Sequence, residues 1–169
     1  MRVPLPRVSM LRNCRKLHLI DPNFGPENAR HRRMLGALMN VLSSNGISPD
    51  VIRVHCSKKP EVAFFENAAC EMSERLPIGI SVEFRRWDER MGGEKLHNLY
   101  VLTDLGGLHS VSASTLEQKG QTDDLLLLPR SLFEERWAQY VSDNGAFVLI
   151  DAPATIRGAC PPARARGSR

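Results

Sequence analysis

The chain has 169 residues, of which 42% are hydrophobic and 25% are charged, a composition typical of one globular domain and not of a disordered chain. The net charge of +4 arises at the ends, because five basic residues lie within residues 2–16 and four arginines lie within 157–169. The residues between are net acidic. Composition therefore predicts no broad nucleic-acid-binding face on the body, and leaves only the ends or a local patch for phosphate contacts.

The cysteines Cys14, Cys56, Cys70 and Cys160 are widely spaced and form no Cys-x-x-Cys pair, which predicts a reduced, cytoplasmic setting without a zinc knuckle. Apolar runs stay below the ~18 residues that a membrane span needs. Residues 1–15 lack the continuous apolar segment of a signal peptide. We therefore expect a cytoplasmic protein with no transmembrane segment, and we expect neither a metal nor another cofactor.

The first half of the chain alternates predicted strands and helices. Lys16–Ile20 reads as a short strand stopped by Asp21-Pro22. Apolar residues then recur every three or four positions, which predicts a helix from Glu27 that ends before Gly46. The remaining predictions in this half are a strand at 51–56, a helix between Pro60 and Pro77, and an alternating strand at 78–87 in which Ile78, Ile80, Val82 and Phe84 share one face.

The second half begins with a predicted strand at 96–103, in which His97, Leu99, Val101 and Thr103 share one face. Further predictions are a strand at 108–114, a turn at 120–124, an apolar run at 125–128, a helix around 132–141 and a strand at 146–150. This order predicts an α/β fold, a mixed β-sheet sandwiched by helices. Residues 16–158 form the predicted domain, between a basic N-terminal extension at 1–15 and a disordered basic tail at 159–169.

One segment resembles a known motif. His97, position 99 and Asp104 have the H-x-K-x4-D spacing of the phospholipase D superfamily, with leucine where that family has lysine or arginine. Residues 87–107 around the motif resemble a bacterial branch that carries a single copy of it. Ile20-Asp21-Pro22 resembles the opening strand of the phospholipase D-like domain at the end of eukaryotic MIT proteins. The resemblance covers nearly the whole of the predicted domain.

The resemblance implies a phospholipase D-like fold and a metal-independent phosphodiesterase. His97 would attack phosphorus to form a phosphohistidine, and a second histidine would protonate the leaving group. Because the chain has one motif copy, the second histidine would come from a homodimer. Asp104 would support the catalytic histidine, and the residues implied to bind phosphate or support the site are Asn98, Ser112 and Asp21.

Two departures from the family motif predict an impaired or inactive enzyme. Leu99 has no charge or donor to stabilise the phosphate oxygens, and loss of one such partner typically costs ~10² to 10³ in rate. The family's glycine-serine pair falls on Val111-Ser112, where only the serine matches. A cation from elsewhere in the sequence could fill the gap, and the candidates are Arg85, Arg86, Arg90 and Lys95.

The same residues also have structural interpretations. His97 could be an ordinary strand histidine, and Asp104 and Asp21 are turn formers. His109 is predicted to face solvent or a turn, whereas His55 could line the site's cleft if its strand is parallel to its neighbour. The pair Asp123 and Asp124 suits a solvated turn, and Trp137 and Tyr140 suit helix packing.

Two functions follow from the sequence. The first is a phospholipase D-like phosphodiesterase domain, impaired at Leu99, whose substrate would be a nucleic acid or a lipid-like phosphodiester. The alternative is a non-catalytic regulatory module that binds phosphate or a protein. The resemblance to a bacterial branch implies that such a module would fit a bacterial defence system. A decayed copy of an active relative is a third possibility.

Overall fold

The structure is a computed structural model that describes residues 9–58, 62–96, 98–111, 124–142 and 145–159. Their helices are α1 (Ser9–Arg12), α2 (Ala29–Ser44), α3 (Val62–Glu71) and α4 (Arg130–Tyr140), and a 3-10 turn at Met72–Arg75 follows α3. Their strands are β1 (Lys16–Ile20), β2 (Val51–Ser57), β3 (Ser81–Glu89), β4 (Tyr100–Thr103), β5 (Gly106–Val111), β6 (Asp124–Leu127), β7 (Phe147–Leu149) and β8 (Ala154–Arg157).

The strands described form one mixed sheet in the order β6-β5-β4-β1-β2-β3-β7, and β8 also pairs with β3. Its centre is parallel, because β1, β2 and β3 run in the same direction. The flanking strands β4, β5, β6, β7 and β8 pair antiparallel to their neighbours. The prediction of an α/β fold with a mixed sheet is confirmed.

Helices pack on both faces of this sheet. On one face, which we call the α2 face, Leu17, Val54 and Phe84 pack against residues of α2 and α3 such as Met39 and Phe65. On the other, the α4 face, residues of α4 cover a second cluster, whose buried members are Ile20, Leu96, Tyr100, Leu102, Leu128, Tyr140 and Phe147. We call the two clusters the α2 core and the α4 core. Successive strand residues alternate between the two faces.

Helix α2 shows how local sequence sets an element's limits. The side chain of Asn28 accepts a hydrogen bond from the Arg30 amide at 2.9 Å, which caps the first turn. The helix ends before Gly46, whose φ of 67° suits glycine. The predicted helix was therefore correct in kind, but its first turn is capped by an amide side chain and contains no acidic residue.

The prediction that Ile78 and Ile80 begin a strand was wrong. Ile78 is 61% exposed, and β3 begins only at Ser81. The Ile80 amide donates to the Pro77 carbonyl at 3.2 Å, and Gly79 has a φ of 92°. These residues form a turn. Ile80 is nevertheless buried in the α2 core with Val82 and Phe84, so only Ile78 departs from the predicted apolar face.

The strand predicted at 96–103 is also shorter in the structure. Only Tyr100–Thr103 are in β4, although the Leu99 carbonyl accepts a bond from the Ser110 amide at 3.1 Å. The strand predicted at 108–114 begins at Gly106, and its residues beyond Val111 lie outside the described part. Strand β8 was not predicted at all, because its sequence, Ala-Thr-Ile-Arg, follows Pro153 and has one large apolar residue.

The described residues near both ends contribute to the fold. Within the predicted N-terminal extension, Met10 of α1 and Cys14 are buried. Near the other end, the Gly158 amide donates to the Ile80 carbonyl and the Ala159 amide to the Ser73 carbonyl, both at 2.8 Å. Among the helices described, none has the length and apolar character to cross a lipid bilayer.

Candidate functional site

The predicted site begins at the end of β1, where Asp21 and Leu99 lie. Ile20 and Tyr100 are the last paired residues of β1 and β4, so the next step along both chains places Leu99 beside Asp21. The predicted nucleophile His97 and the predicted Ser112 lie outside the described residues, and their roles stay predictions. Asp123 lies outside as well, whereas Asp124, predicted to lie in a turn, is the first residue of β6.

Asp21 is a turn residue with a buried side chain. Its Oδ1 accepts a hydrogen bond from the Asn23 amide at 3.0 Å, and its carbonyl accepts one from the Phe24 amide at 3.0 Å. The Asp21 amide donates to the His55 carbonyl at 2.9 Å, which ties this turn to the end of β2. Asp21 as a whole is 7% exposed. The turn role of Asp21 is therefore satisfied by local bonds, and its predicted site role stays untested.

Asp104 lies at the other end of β4, roughly 16 Å along the strand from Leu99. Its Oδ1 accepts bonds from the Arg15 amide at 2.8 Å and the Lys16 amide at 3.0 Å. Although partial burial opposes ionisation, these two amides lower the pKa of Asp104 below its ordinary value. The carboxylate thus anchors the start of β1. Beside it lies an open groove of about 410 Å³, whose lining includes Leu105, Leu127 and Phe133.

Asn98 and His109 meet around one tyrosine. The Asn98 amide donates to the Tyr100 hydroxyl at 3.2 Å, and the half-buried His109 ring stacks on the Tyr100 ring with centroids 4.9 Å apart. His109 therefore packs on its neighbour in the sheet and is only partly exposed to solvent.

The four cations that could replace the one missing at position 99 are all bound elsewhere. Alternation puts position 99 on the same face of the sheet as Val101, which packs on the α2 core. Arg85 lies on the opposite, α4 face. The buried Arg86 also binds the Lys58 carbonyl and lies over the Phe65 ring. Their principal bonds are Arg85 to Glu83 at 2.6 Å, Arg86 to Asp151 at 2.9 Å, Arg90 to the Gly145 carbonyl at 3.5 Å and Lys95 to Glu89 at 2.8 Å.

Sequence reasoning missed a buried pair of histidines on the α4 face. His18 of β1 and His55 of β2 have no exposed surface, and their rings meet through His18 Nδ1 and His55 Nε2 at 2.9 Å. Trp87 of β3 extends the chain, because its Nε1 lies 3.0 Å from His55 Nδ1. The side chains of Trp137 and Tyr140 on α4 contact the two imidazole rings. The sequence left open that His55 could line the cleft if its strand were parallel to its neighbour; β2 is parallel to β1, and His55 is fully buried on the α4 face.

The hydrogen-bond chain has one direction. An indole N–H only donates, so His55 Nδ1 must accept from Trp87. Burial and then the nearby guanidinium of Arg53 lower the pKa of His18 to about 3. Burial, then His18 and Arg85, lower the pKa of His55 well below its ordinary value. Both rings are therefore neutral at neutral pH, and His55 donates from Nε2 to His18 Nδ1.

This direction places the remaining proton of His18 on Nε2. That atom is buried and has no hydrogen-bond partner among the described residues. A buried donor left without an acceptor costs about 1 to 3 kcal/mol. The signal available in the sequence was the alternation of β1, which places His18 on the same face as the apolar Ile20 and so predicts burial for a polar ring.

A pair of arginines shares one carboxylate beside these histidines. Arg53 Nε and Arg85 Nε both donate to Glu83 Oε1, at 2.8 Å and 2.6 Å. Register places Arg53 next to His18 and Arg85 next to His55. The three side chains of this group are about one quarter exposed. Two cations thus lie against one anion on the α4 face.

The described residues offer neither a reactive thiol at Cys56 nor a metal-binding cluster. Burial raises the pKa of the Cys56 thiol to about 12, although Arg86 opposes the shift, so this thiol is protonated and unreactive at neutral pH. The described part of the chain contains no cluster of three or more histidine, cysteine or carboxylate side chains able to hold a metal ion.

Comparisons of the chain with protein-family models, with curated proteins and with solved structures gave no match in any of the three. The resemblance to the phospholipase D superfamily therefore stays a prediction that rests on the motif residues themselves.

Proposed function

We propose that the chain is a phospholipase D-like domain that has lost phosphodiesterase turnover and serves as a module that binds a phosphate-bearing ligand. The observation that carries the proposal is the lack of a cation at position 99. Leucine stands there, Arg85 lies on the other face of the sheet from Val101, and Arg86, Arg90 and Lys95 make their bonds to other groups. Without such a cation, charge on the phosphate oxygens has no partner in the transition state.

Two further contacts support the proposal. The Asp104 carboxylate is occupied by the Arg15 and Lys16 amides, which gives this motif residue a purely structural reason to be present. The Asp21-Pro22 turn follows β1 one step beyond the pairing of Ile20 with Tyr100, and this proximity to position 99 supports a shared site.

The test is a phosphodiesterase assay on a chromogenic diester with EDTA present. We expect no turnover by the native chain. We expect Leu99→Arg to create activity, and the added change His97→Ala to abolish it, because arginine would supply the missing cation and histidine the nucleophile. Leu99→Met is the matched control, since it changes the side chain without adding charge.

If the native chain turns over the diester and His97→Ala does not, the proposal is overturned. The chain is then an active phosphodiesterase that depends on His97. No activity in Leu99→Arg, with that variant folded as the native chain by circular dichroism, would remove the support for a motif derived from this family. Light scattering on the same samples measures the predicted homodimer, which a reaction with one motif copy needs.

A further inference from the structure

The α4 face of the sheet carries a group of charged side chains, of which two are exposed and three are about one quarter exposed. Ile20, Tyr100 and Leu102 are buried under α4. Toward the start of β1, β2 and β3, the same face carries side chains that reach solvent. Alternation and register place these charged residues on it: Lys16, Arg53, Glu83, Arg85 and Arg157. We call this group the basic face.

The basic face has more cationic groups than its carboxylates can neutralise. Asp104 lies beside Lys16 at its edge, and register places Glu83 beside Arg53, so two carboxylates face four cations among the described residues. Arg53 and Arg85 both donate through their Nε atoms to Oε1 of Glu83. No other acceptor among the described residues bonds to either guanidinium. Each guanidinium has five N–H donors, so the terminal nitrogens of both remain available to a ligand.

Glu83 also orders the two guanidinium groups. Because both donate to the same oxygen, at 2.8 Å and 2.6 Å, the two guanidinium groups lie side by side, on neighbouring strands whose backbones are about 4.8 Å apart. The guanidinium fork matches phosphate oxygens in a bidentate manner. His18 and His55 beside the pair are neutral and so add no charge. The pair is held ready for an anion at little cost in side-chain entropy.

The spread of the cations indicates more than one phosphate. Lys16 on β1 pairs with Val51 on β2, and Arg157 on β8 pairs with Ser81 on β3. Three inter-strand steps therefore separate Lys16 from Arg157, about 14 Å at ~4.8 Å per step. One phosphate group cannot contact both ends of such a row. A chain of successive phosphates can.

We propose that the basic face binds the phosphodiester backbone of a single-stranded nucleic acid, with Arg53 and Arg85 holding one phosphate and with Lys16 and Arg157 contacting its neighbours. This inference names the class of ligand that the proposed module would bind. It rests on the proposed function only in expecting that the bound nucleic acid is not cleaved. Composition predicted no broad basic face on the body of the chain. The local patch arises because residues that are distant in sequence meet on neighbouring strands.

The test measures binding of a fluorescent single-stranded oligonucleotide of about ten nucleotides by anisotropy over a range of salt concentrations. We expect the double variant Arg53→Gln/Arg85→Gln to weaken binding about tenfold or more at low salt. Loss of the one phosphate that the pair holds should also reduce the slope of log affinity against log salt by about 0.7. Arg30→Gln/Arg33→Gln is the matched control, because it removes the same charge from exposed positions on α2.

Glu83→Gln should change the binding affinity in the opposite direction. The amide oxygen can still accept from both arginines, while the negative charge is gone, so binding should strengthen several-fold. A purely structural role for the Arg53-Glu83-Arg85 group would weaken the fold without strengthening binding. Thermal unfolding by circular dichroism separates the two effects in every variant.

Three results would overturn the inference: no binding by the native chain, equal losses in the arginine pair and the α2 control, or a mononucleotide that binds as tightly as the oligonucleotide. The last would point to an isolated phosphate. Product analysis of the same samples keeps the two proposals apart. Cleavage of the oligonucleotide contradicts the loss of turnover, whereas affinity unchanged in Arg53→Gln/Arg85→Gln contradicts only the binding site.

Discussion

At the scale of single residues, the buried histidines show how a polar side chain is accommodated in the centre of a sheet. Neither His18 nor His55 is exposed, and a buried imidazole is tolerated when it is neutral and hydrogen-bonded. Trp87 supplies the terminal donor and so fixes both tautomers. The desolvation that lowers both pKa values also makes the pair sensitive to acid.

The sign of that sensitivity follows from the lowered pKa. His18 has a pKa of about 3 in the folded chain against an ordinary 6.5, so below pH 6.5 the unfolded chain takes up a proton that the folded chain takes up only near pH 3. The contribution of this group to the free energy of unfolding is fully present above pH 6.5. It is lost as the pH falls from 6.5 toward 3. We expect the free energy of unfolding to drop by up to about 1.4 kcal/mol per pH unit for each such imidazole.

His18→Asn tests this prediction by urea unfolding between pH 7 and pH 5. Asparagine does not titrate, and its amide oxygen can accept the bond from His55. We expect the drop over this window to shrink by about 2 kcal/mol relative to the native chain. His109→Asn, a histidine outside the buried pair, is the control. An unchanged pH dependence in His18→Asn would contradict the neutral, buried state assigned to His18.

At the scale of elements, close approach between backbone segments decides positions that look interchangeable in the sequence. Gly158 follows β8, and a Cβ there would collide with the backbone carbonyls of Leu76 and Pro77. Gly36 in α2 is different. A Cβ there would lie 3.5 Å from the Arg75 carbonyl, an ordinary van der Waals distance.

The same change, glycine to alanine, should therefore have opposite effects at these two positions. Gly158→Ala must displace backbone and should lower the free energy of unfolding by about 1 to 3 kcal/mol. Gly36→Ala should raise it by about 0.4 to 1 kcal/mol, because alanine restricts the unfolded chain and favours the helix. Urea unfolding of the two variants measures both, and a destabilised Gly36→Ala would show that α2 packs more tightly than described.

At the scale of the whole molecule, the two cores share one sheet and should unfold together. β1 contributes Leu17 and Leu19 to the α2 core and Ile20 to the α4 core. The strands that carry one core therefore also carry the other. Loss of either should remove the support of both.

Met39→Ala tests this coupling. Met39 is buried in the α2 core, whereas the two tryptophans, Trp87 and Trp137, pack against the α4 core. We expect the variant to lose about 2 to 5 kcal/mol and to shift the unfolding midpoint equally by tryptophan fluorescence and by circular dichroism. A fluorescence midpoint that stays at the native value would show that the cores unfold separately.

The sequence by itself determined the class of fold and most of its elements, because apolar periodicity reports local geometry directly. It also determined the feature on which the proposed function rests, since leucine at position 99 has no charge in any fold. Only the tertiary structure decided which partners the candidate cations bind, why Asp104 is needed at the start of β1, and that Arg53 and Arg85 meet beside two neutral histidines. Those facts depend on strand order and register, which arise from contacts between residues far apart in the chain and leave no periodic trace in it.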